Sequence, residues 1–236
     1  MIKYKRVLLK LSGEVLAGDD GFGLNRKRID ELCGEIAEVV AAGVSIAVVV
    51  GGGNIYRGAL AADSGRDRVQ SDYMGMLATV INSLALQNAL ENLGVSVRVQ
   101  TAINMGPIAE PFIRRRAVKH LDKGRIVIFA AGTGLPFFST DTAAAFRASE
   151  INADCLLKAT KVDGIYERDP VKFPDAKFLP NLSYRDFLDM RLSVMDTSAV
   201  MFCESNSMRI VVFDVRTSGN LGRLLVNGEN IGSTVS

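Results

Sequence analysis

A single histidine, His120, leaves this chain of 236 residues little scope for imidazole catalysis or a histidine-built metal site. It follows Arg114-Arg115-Arg116 and Lys119 on an expected helix, where an exposed surface histidine is the plain reading. Cysteine is nearly as scarce. Cys33, Cys155 and Cys203 lie far apart, match neither zinc-ligand spacing nor a disulfide framework, and point to a reducing cytoplasm. An excess of one charge is also missing: 28 basic and 26 acidic residues are interspersed and sum to +2, which gives no support for bulk nucleic-acid binding. Lys3, Lys5 and Arg6 before an apolar run have the look of a signal peptide, but Lys10 and Glu14 interrupt that run. No apolar stretch is long enough to span a membrane, so a soluble, cytoplasmic protein is expected. Three familiar sites are absent as well. There is no Gly-Lys dipeptide for a Walker A loop and no Gly-x-Ser-x-Gly elbow, and Tyr56 stands where a dinucleotide fingerprint needs its third glycine.

What is present is a core-forming composition, 48% hydrophobic and 23% charged, enough for one large α/β domain or two small ones. No break or linker argues for independent domains; a single domain with two lobes, roughly 1–150 and 151–236, is expected. Strands are predicted over 6–11, 44–50, 95–100, 125–131, 154–158 and 209–214, with helices over 29–40, 71–93, 107–121, 142–151 and 196–205 and another opening near Leu182-Ser183-Tyr184. Strand, helix, strand at the start is the βαβ signature of a parallel sheet. Residues 59–70 read as a polar loop, and Asp163-Gly164 between β-formers reads as a hairpin. The 71–93 segment is apolar on several faces, more than packing on a sheet requires, which favours an oligomer interface.

The chain is organised around Val48-Val49-Val50-Gly51-Gly52-Gly53-Asn54-Ile55-Tyr56-Arg57-Gly58. A buried strand runs into glycines that let a ligand approach the backbone, N–H groups that form an anion-binding concavity, and a guanidinium suited to phosphate or carboxylate. A second strand and glycine loop ends in Gly132-Thr133-Gly134-Leu135-Pro136-Phe137-Phe138-Ser139-Thr140-Asp141, crowding two hydroxyls and a carboxylate at a helix start. Lys10 is a charge near the carboxyl end of a buried strand, either the strand's solvent end or a ligand contact at the sheet edge. Asp72, at the start of the long helix, reads equally as a cap or a ligand contact. Phosphoryl transfer needs cations and N–H groups over developing charge, and this inventory suits it. The residues alone therefore indicate a phosphate-binding α/β protein of phosphotransferase type.

Four motifs taken together are more specific. Lys10-Leu11-Ser12-Gly13-Glu14, the glycine loop through Gly58, Asp72-Tyr73-Met74-Gly75-Met76-Leu77-Ala78-Thr79 and Lys158-Ala159-Thr160-Lys161-Val162-Asp163-Gly164 closely resemble the bacterial UMP kinases of the amino acid kinase family, which are unrelated to P-loop UMP/CMP kinases. The resemblance runs from Lys5 to near the C-terminus. It implies a three-layer αβα sandwich on a mainly parallel sheet, a homohexamer, and transfer from MgATP to UMP in pyrimidine nucleotide synthesis. By resemblance, Lys10, Leu11, Ser12, Gly13, Gly53 and Arg57 hold ATP, Thr160, Tyr166 and Asp169 line its adenine and ribose, and Asp141 orders the phosphates and metal. Lys10, Arg57 and Asp141 form the catalytic set.

On the acceptor side the resemblance implies that Gly52 and Asp72 contact UMP, with Thr133, Gly134, Leu135, Pro136, Phe137, Phe138, Ser139 and Thr140 wrapping the nucleotide. Leu135 stands where the family more commonly has asparagine, and Ser139 replaces a threonine while keeping the hydroxyl. Gly18, Asp19, Asp20, Gly21, Phe22 and Gly23 resemble a segment that responds to GTP, with UTP as inhibitor. Mg²⁺ is expected to arrive on the nucleotide, since it keeps waters and few protein ligands; no dedicated metal-ligand cluster is seen. An acetylglutamate- or aspartate-type kinase of the same fold and a non-catalytic nucleotide sensor stand as alternatives.

Overall fold

The computed structural model describes residues 2–56, 65 and 67–236. Its centre is a nine-stranded sheet built on β1 (Arg6–Leu11), β2 (Ser45–Val50), β3 (Val97–Thr101), β5 (Ile126–Ala130), β6 (Cys155–Thr160) and β10 (Ile210–Asp214). These strands are parallel, in the order β3-β5-β2-β1-β6-β10. The apolar runs RVLLKL and SIAVVV are buried almost throughout, as expected of strands covered on both faces. Short strands finish the sheet: β4 (Glu110–Pro111) beside β3, and β11 (Ser233–Val235) then β9 (Asn181–Leu182) beyond β10. β11 runs antiparallel to β10.

Helices cover both faces, giving three layers. On one face α2 (Arg26–Ala41), α3 (Arg68–Asn92) and α8 (Asn220–Leu225) pack on Val7, Leu9 and Leu11; α1 (Gly13–Ala17) joins them. On the other, α4 (Arg114–Asp122), α5 (Thr140–Glu150), α6 (Tyr184–Asp189) and α7 (Thr197–Ser205) pack on Leu8, Ala47 and Leu156. The alanines of α5 (Ala144, Ala145 and Ala148) are fully buried and let that helix lie close to the sheet. The chain moves from β1 out to β2, and later crosses to β6 on the other side of β1. Such a switch in direction opens a crevice beyond the carboxyl ends of the strands.

The expected α/β class and its six main strands match the structure. Four local expectations do not. Helix α3 starts at Arg68, capped by Asp67, whose carboxylate accepts the N–H groups of Val69 and Gln70 at 2.8 and 3.1 Å; Asp72 is not the cap. Arg68, Val69 and Gln70 are therefore helical, while most of the polar loop expected before them lies outside the described residues. Helix α4 begins at Arg114 instead of 107, because β4 takes up Glu110 and Pro111.

Asp163-Gly164 does not turn a hairpin from β6. The strand that follows, β7 (Ile165–Tyr166), pairs instead with β8 (Phe178–Leu179). Gly164 is needed for space, since a Cβ there would come within 2.5 Å of Ser233 Oγ and 2.6 Å of Phe178 Cε2. Nor is His120 a free surface group. Nε2 lies 3.3 Å from Glu110 and Nδ1 lies 3.1 Å from Arg125, and little of the ring is exposed. Because overpacking strains a close-packed site, Gly164→Ala is expected to destabilise the chain by about 1–3 kcal/mol, read as a lower urea midpoint at unchanged slope.

Candidate active site

The carboxyl edge of the sheet brings two lysines face to face. In the parallel register Lys10 of β1 sits directly opposite Lys158 of β6. Like charges so placed destabilise a sheet. Both side chains point to the face covered by α5, whose first turn carries Asp141. Asp141 Oδ1 lies 2.7 Å from Lys10 Nζ, and Lys158 Nζ donates to Oδ2. Lys10, Lys158 and Asp141 are 9, 8 and 7% exposed, so the carboxylate compensates two buried cations.

Burial alone pushes the Asp141 carboxyl up, but the ammonium groups of Lys10 and Lys158 outweigh it and hold the group at about 2. Lys158 is lowered to about 8, first by burial and then by repulsion from Lys10, against the pull of Asp141. An acid held that low, with both oxygens engaged, is no proton acceptor at neutral pH. It is an anchor for cations.

A cleft of about 880 Å³ opens next to Asp141, whose chain neighbours Thr140 and Thr142 line it while the three ionic residues themselves do not. Its walls come from α1, the first glycine loop, α3, the second glycine loop with the start of α5, and the start of α7. Gly52 and Gly53 form one wall. A Cβ at Gly52 would meet the Gly75 carbonyl oxygen at 2.7 Å and Ala78 Cβ at 2.8 Å, so the glycine loop lies directly against α3. The N-terminal part of α3 supplies Arg68, Asp72, Gly75 and Thr79. Asp72 faces the second glycine loop: it pairs with Arg68 Nε at 2.9 Å and accepts the Phe137 N–H at 2.7 Å. That loop contributes Thr133, Phe137, Phe138, Ser139 and Thr140. Ala131 (φ 61°), Gly132 (φ 57°), Gly134 (φ 79°) and Phe137 (φ 70°) take left-handed backbone there. Non-glycine residues in that region carry strain and concentrate at functional sites. Ser139 caps α5 by accepting the Thr142 N–H at 3.1 Å.

The other sequence-predicted residues fall around this centre. Ser12 caps α1 and Gly13 is its first residue, just past Lys10 and Leu11. Gly134, Leu135 and Pro136 form the far part of the loop and are not in the cleft wall; Leu135 is 59% exposed. Tyr166 and Asp169 line a separate recess of about 300 Å³ with Arg168, Leu192 and Val194. Thr160 ends β6, where its hydroxyl donates to the Val162 carbonyl at 2.6 Å. Residues 18–20 form a single 3₁₀ turn, and Gly18 and Asp19 border a charged recess with Glu14, Arg28, Lys161 and Arg216. Arg57 lies outside the described residues.

The structure adds groups to which motif reading gave no role. Lys158 gave the same signal as Lys10, a charge near the end of a buried strand. Asp196, Thr197 and Ser198 enter the cleft from the start of α7. Asp196 occupies the N-cap position of α7 without a side-chain capping hydrogen bond and lines the cleft. Among the described residues no group of three or more His, Cys, Asp or Glu side chains could hold a metal ion. Asp141 is tied to two lysines, and the carboxylates on the cleft wall itself are Asp196, Asp72, which is paired with Arg68, and Glu14, which is paired with Lys161. That fits Mg²⁺ carried on a nucleotide, which needs one or two carboxylates and otherwise phosphate and water.

Residues 5–214 match the amino acid kinase family. The chain belongs to that family. Its structure is similar to the UMP kinase of Bacillus anthracis, with a TM-score of 0.95 and 42% identity over 99% of this chain and 96% of that one. It is similar as well to the UMP kinase of Ureaplasma parvum, with a TM-score of 0.92 and 33% identity over the whole of both chains. The uridylate kinase of Archaeoglobus fulgidus follows at a TM-score of 0.74 and 27% identity, covering 98% of this chain and 99% of that one.

Removing one member of a buried ionic cluster leaves uncompensated charge, so Asp141→Asn is expected to cost about 3–5 kcal/mol. The wild type has a further signature. Its depressed Asp141 value adds stability at neutral pH that drains away as pH falls from the ordinary 3.8 through about 2. The urea midpoint of the wild type should therefore fall more steeply with acid than that of Asp141→Asn. Parallel curves would deny Asp141 this role.

Proposed function

We propose that this chain is a UMP kinase, moving the γ-phosphoryl group of MgATP to UMP to give UDP in pyrimidine nucleotide synthesis. One observation carries the reading: the Lys10–Asp141–Lys158 triad beside a cleft large enough for a nucleotide. Likeness to UMP kinases over nearly the full chain names the acceptor. A phosphate oxygen of UMP attacks the γ-phosphorus as the bond to the ADP oxygen breaks. No proton has to move, because the attacking phosphate is already ionised, and the low value of Asp141 is consistent with that. The chain's work is placement and charge.

Lys10 and Lys158 neutralise the equatorial oxygens of the group in flight, and Asp141 holds them in place. Ser12 and Gly13 offer the start of α1 to the donor phosphates, with Gly53 and Arg57 completing that side. Thr160, Tyr166 and Asp169 line the adenine and ribose. When bound, Mg²⁺ would offset phosphate charge, and Asp196 on the cleft wall would be a carboxylate to help hold it. Gly52 and Asp72 take the acceptor, Asp72 binding the ribose with lone pairs left over from Arg68 and Phe137. Residues 133–140 enclose it. This divides the single domain into an acceptor lobe, roughly 1–150, and an ATP lobe, roughly 151–236. The chain works in the cytoplasm.

We further read residues 18–23 as the segment that responds to GTP, with UTP inhibiting, and the assembly as a homohexamer. Tyr73, Met74, Leu77 and Ile81 support self-association, since these large apolar side chains on α3 are each between 39 and 48% exposed. Leu77→Arg is expected to shift the chain to smaller species in sedimentation velocity. An unchanged distribution would exclude an α3 interface.

A coupled assay with MgATP and UMP, CMP, AMP or acetylglutamate tests the activity. Transfer to UMP is expected at a rate well above the rest. Equal rates with UMP and CMP would remove uridylate specificity, and transfer to acetylglutamate alone would reassign the acceptor. Binding without transfer to any acceptor would make the chain a sensor.

A further inference from the structure

Behind the glycine loop lie two side-chain amides with no exposure at all, Asn54 and Asn82. Asn54 Nδ2 donates to Asn82 Oδ1 at 3.0 Å and to the Gly23 carbonyl at 2.7 Å. Asn82 Nδ2 donates to Asn54 Oδ1 at 2.7 Å and to the Gly51 carbonyl at 2.7 Å. A carboxamide nitrogen carries two hydrogens, so all four are used and the network is closed. Neither residue lines the cleft.

The pair joins four parts of the site. Asn82 belongs to α3, the helix that also carries Asp72. Asn54 belongs to the glycine loop. Gly23 is held twice, because its N–H also donates to the Asn54 carbonyl at 2.8 Å. Gly13 abuts the same amide: a Cβ there would collide with Asn54 Oδ1 and lie 2.6 Å from the Gly51 carbonyl oxygen. The donor-side turn and the acceptor-side glycines thus rest on one polar brace.

We propose that Asn54 and Asn82 are positioning residues for phosphoryl transfer, their reciprocal amide pair fixing the glycine loop and the Gly13 turn at reacting distance. This rests on the kinase reading. An apolar pair of the same size would fill the space but leave the Gly51 and Gly23 carbonyls without donors. A carboxylate at position 82 would set negative charge against the Gly51 carbonyl and push the loop away. Once protonated, it regains one O–H donor and can restore that bond. Misplacing reacting groups by about 1 Å costs about 100-fold in rate.

The test measures kcat and both KM values for the full-length wild type, Asn82→Asp and Asn82→Ser between pH 6 and 8.5, with thermal melts of each. For Asn82→Asp we expect kcat about 100-fold below wild type at pH 8.5, each KM within about threefold, and at least tenfold recovery relative to wild type at pH 6. Asn82→Ser, which is small and neutral, should lose at least tenfold in kcat at every pH with no such recovery. If Asn82→Asp does not fold, Asn82→Ser alone decides the matter. A wild-type kcat in either folded variant, or a loss in Asn82→Asp that pH leaves unmoved, would overturn the proposal. So would loss of kcat and both KM values in step with melting temperature. A wild-type chain that transfers nothing to UMP would fail the kinase reading first, and this inference with it.

Discussion

Two ammonium groups on adjacent strands would repel each other if nothing stood between them. Lys10 and Lys158 share a register position, and Asp141 from the far layer is what lets both stay charged. Much of the architecture follows from that requirement. Helix α5 must begin at the strand ends, so its alanine face packs close to the sheet. The loop before it must turn sharply, so Ala131 and Phe137 take left-handed backbone. Two cations and one anion leave the triad with one positive charge in a largely buried place, and in the proposed reaction a phosphate would supply the missing negative charge.

Around that centre, glycine is used for proximity. Gly52 lies against α3 and Gly13 against the Asn54 amide, each where no side chain fits. Flexibility is not the purpose at either position, since neither has a positive φ. Close contact lets main-chain groups from three different elements face the same small volume. Charged groups in the open, such as Arg68 and Asp196, then border the space instead of filling it.

The main strands were legible because apolar runs buried on both faces leave an unambiguous pattern. Lys10 was legible for the opposite reason, as a charge breaking such a run. Lys158 breaks β6 in the same way and was missed as a site residue, because a second lysine makes sense only when the register with β1 is known. Asn54 and Asn82 gave no signal either. Their value lies in a contact between residues 28 positions apart. The two-residue strands were too short to show a period, which is how Asp163-Gly164 came to look like a hairpin and Glu110-Pro111 like helix. His120 looked exposed on its helix, but Glu110 and Arg125 arrive from the neighbouring strand segments.

The margins of the sheet have a consequence for how copies of this chain can meet. At one margin stands β4, two residues long, with a proline that has no N–H to donate; at the other stands β9, also two residues long. Neither offers a ladder long enough for another chain to extend. Growth by strand addition, the route to open-ended fibres, is thereby closed at both ends. Association is left to the helical layers, whose side-chain contacts can select a partner and a finite number of copies.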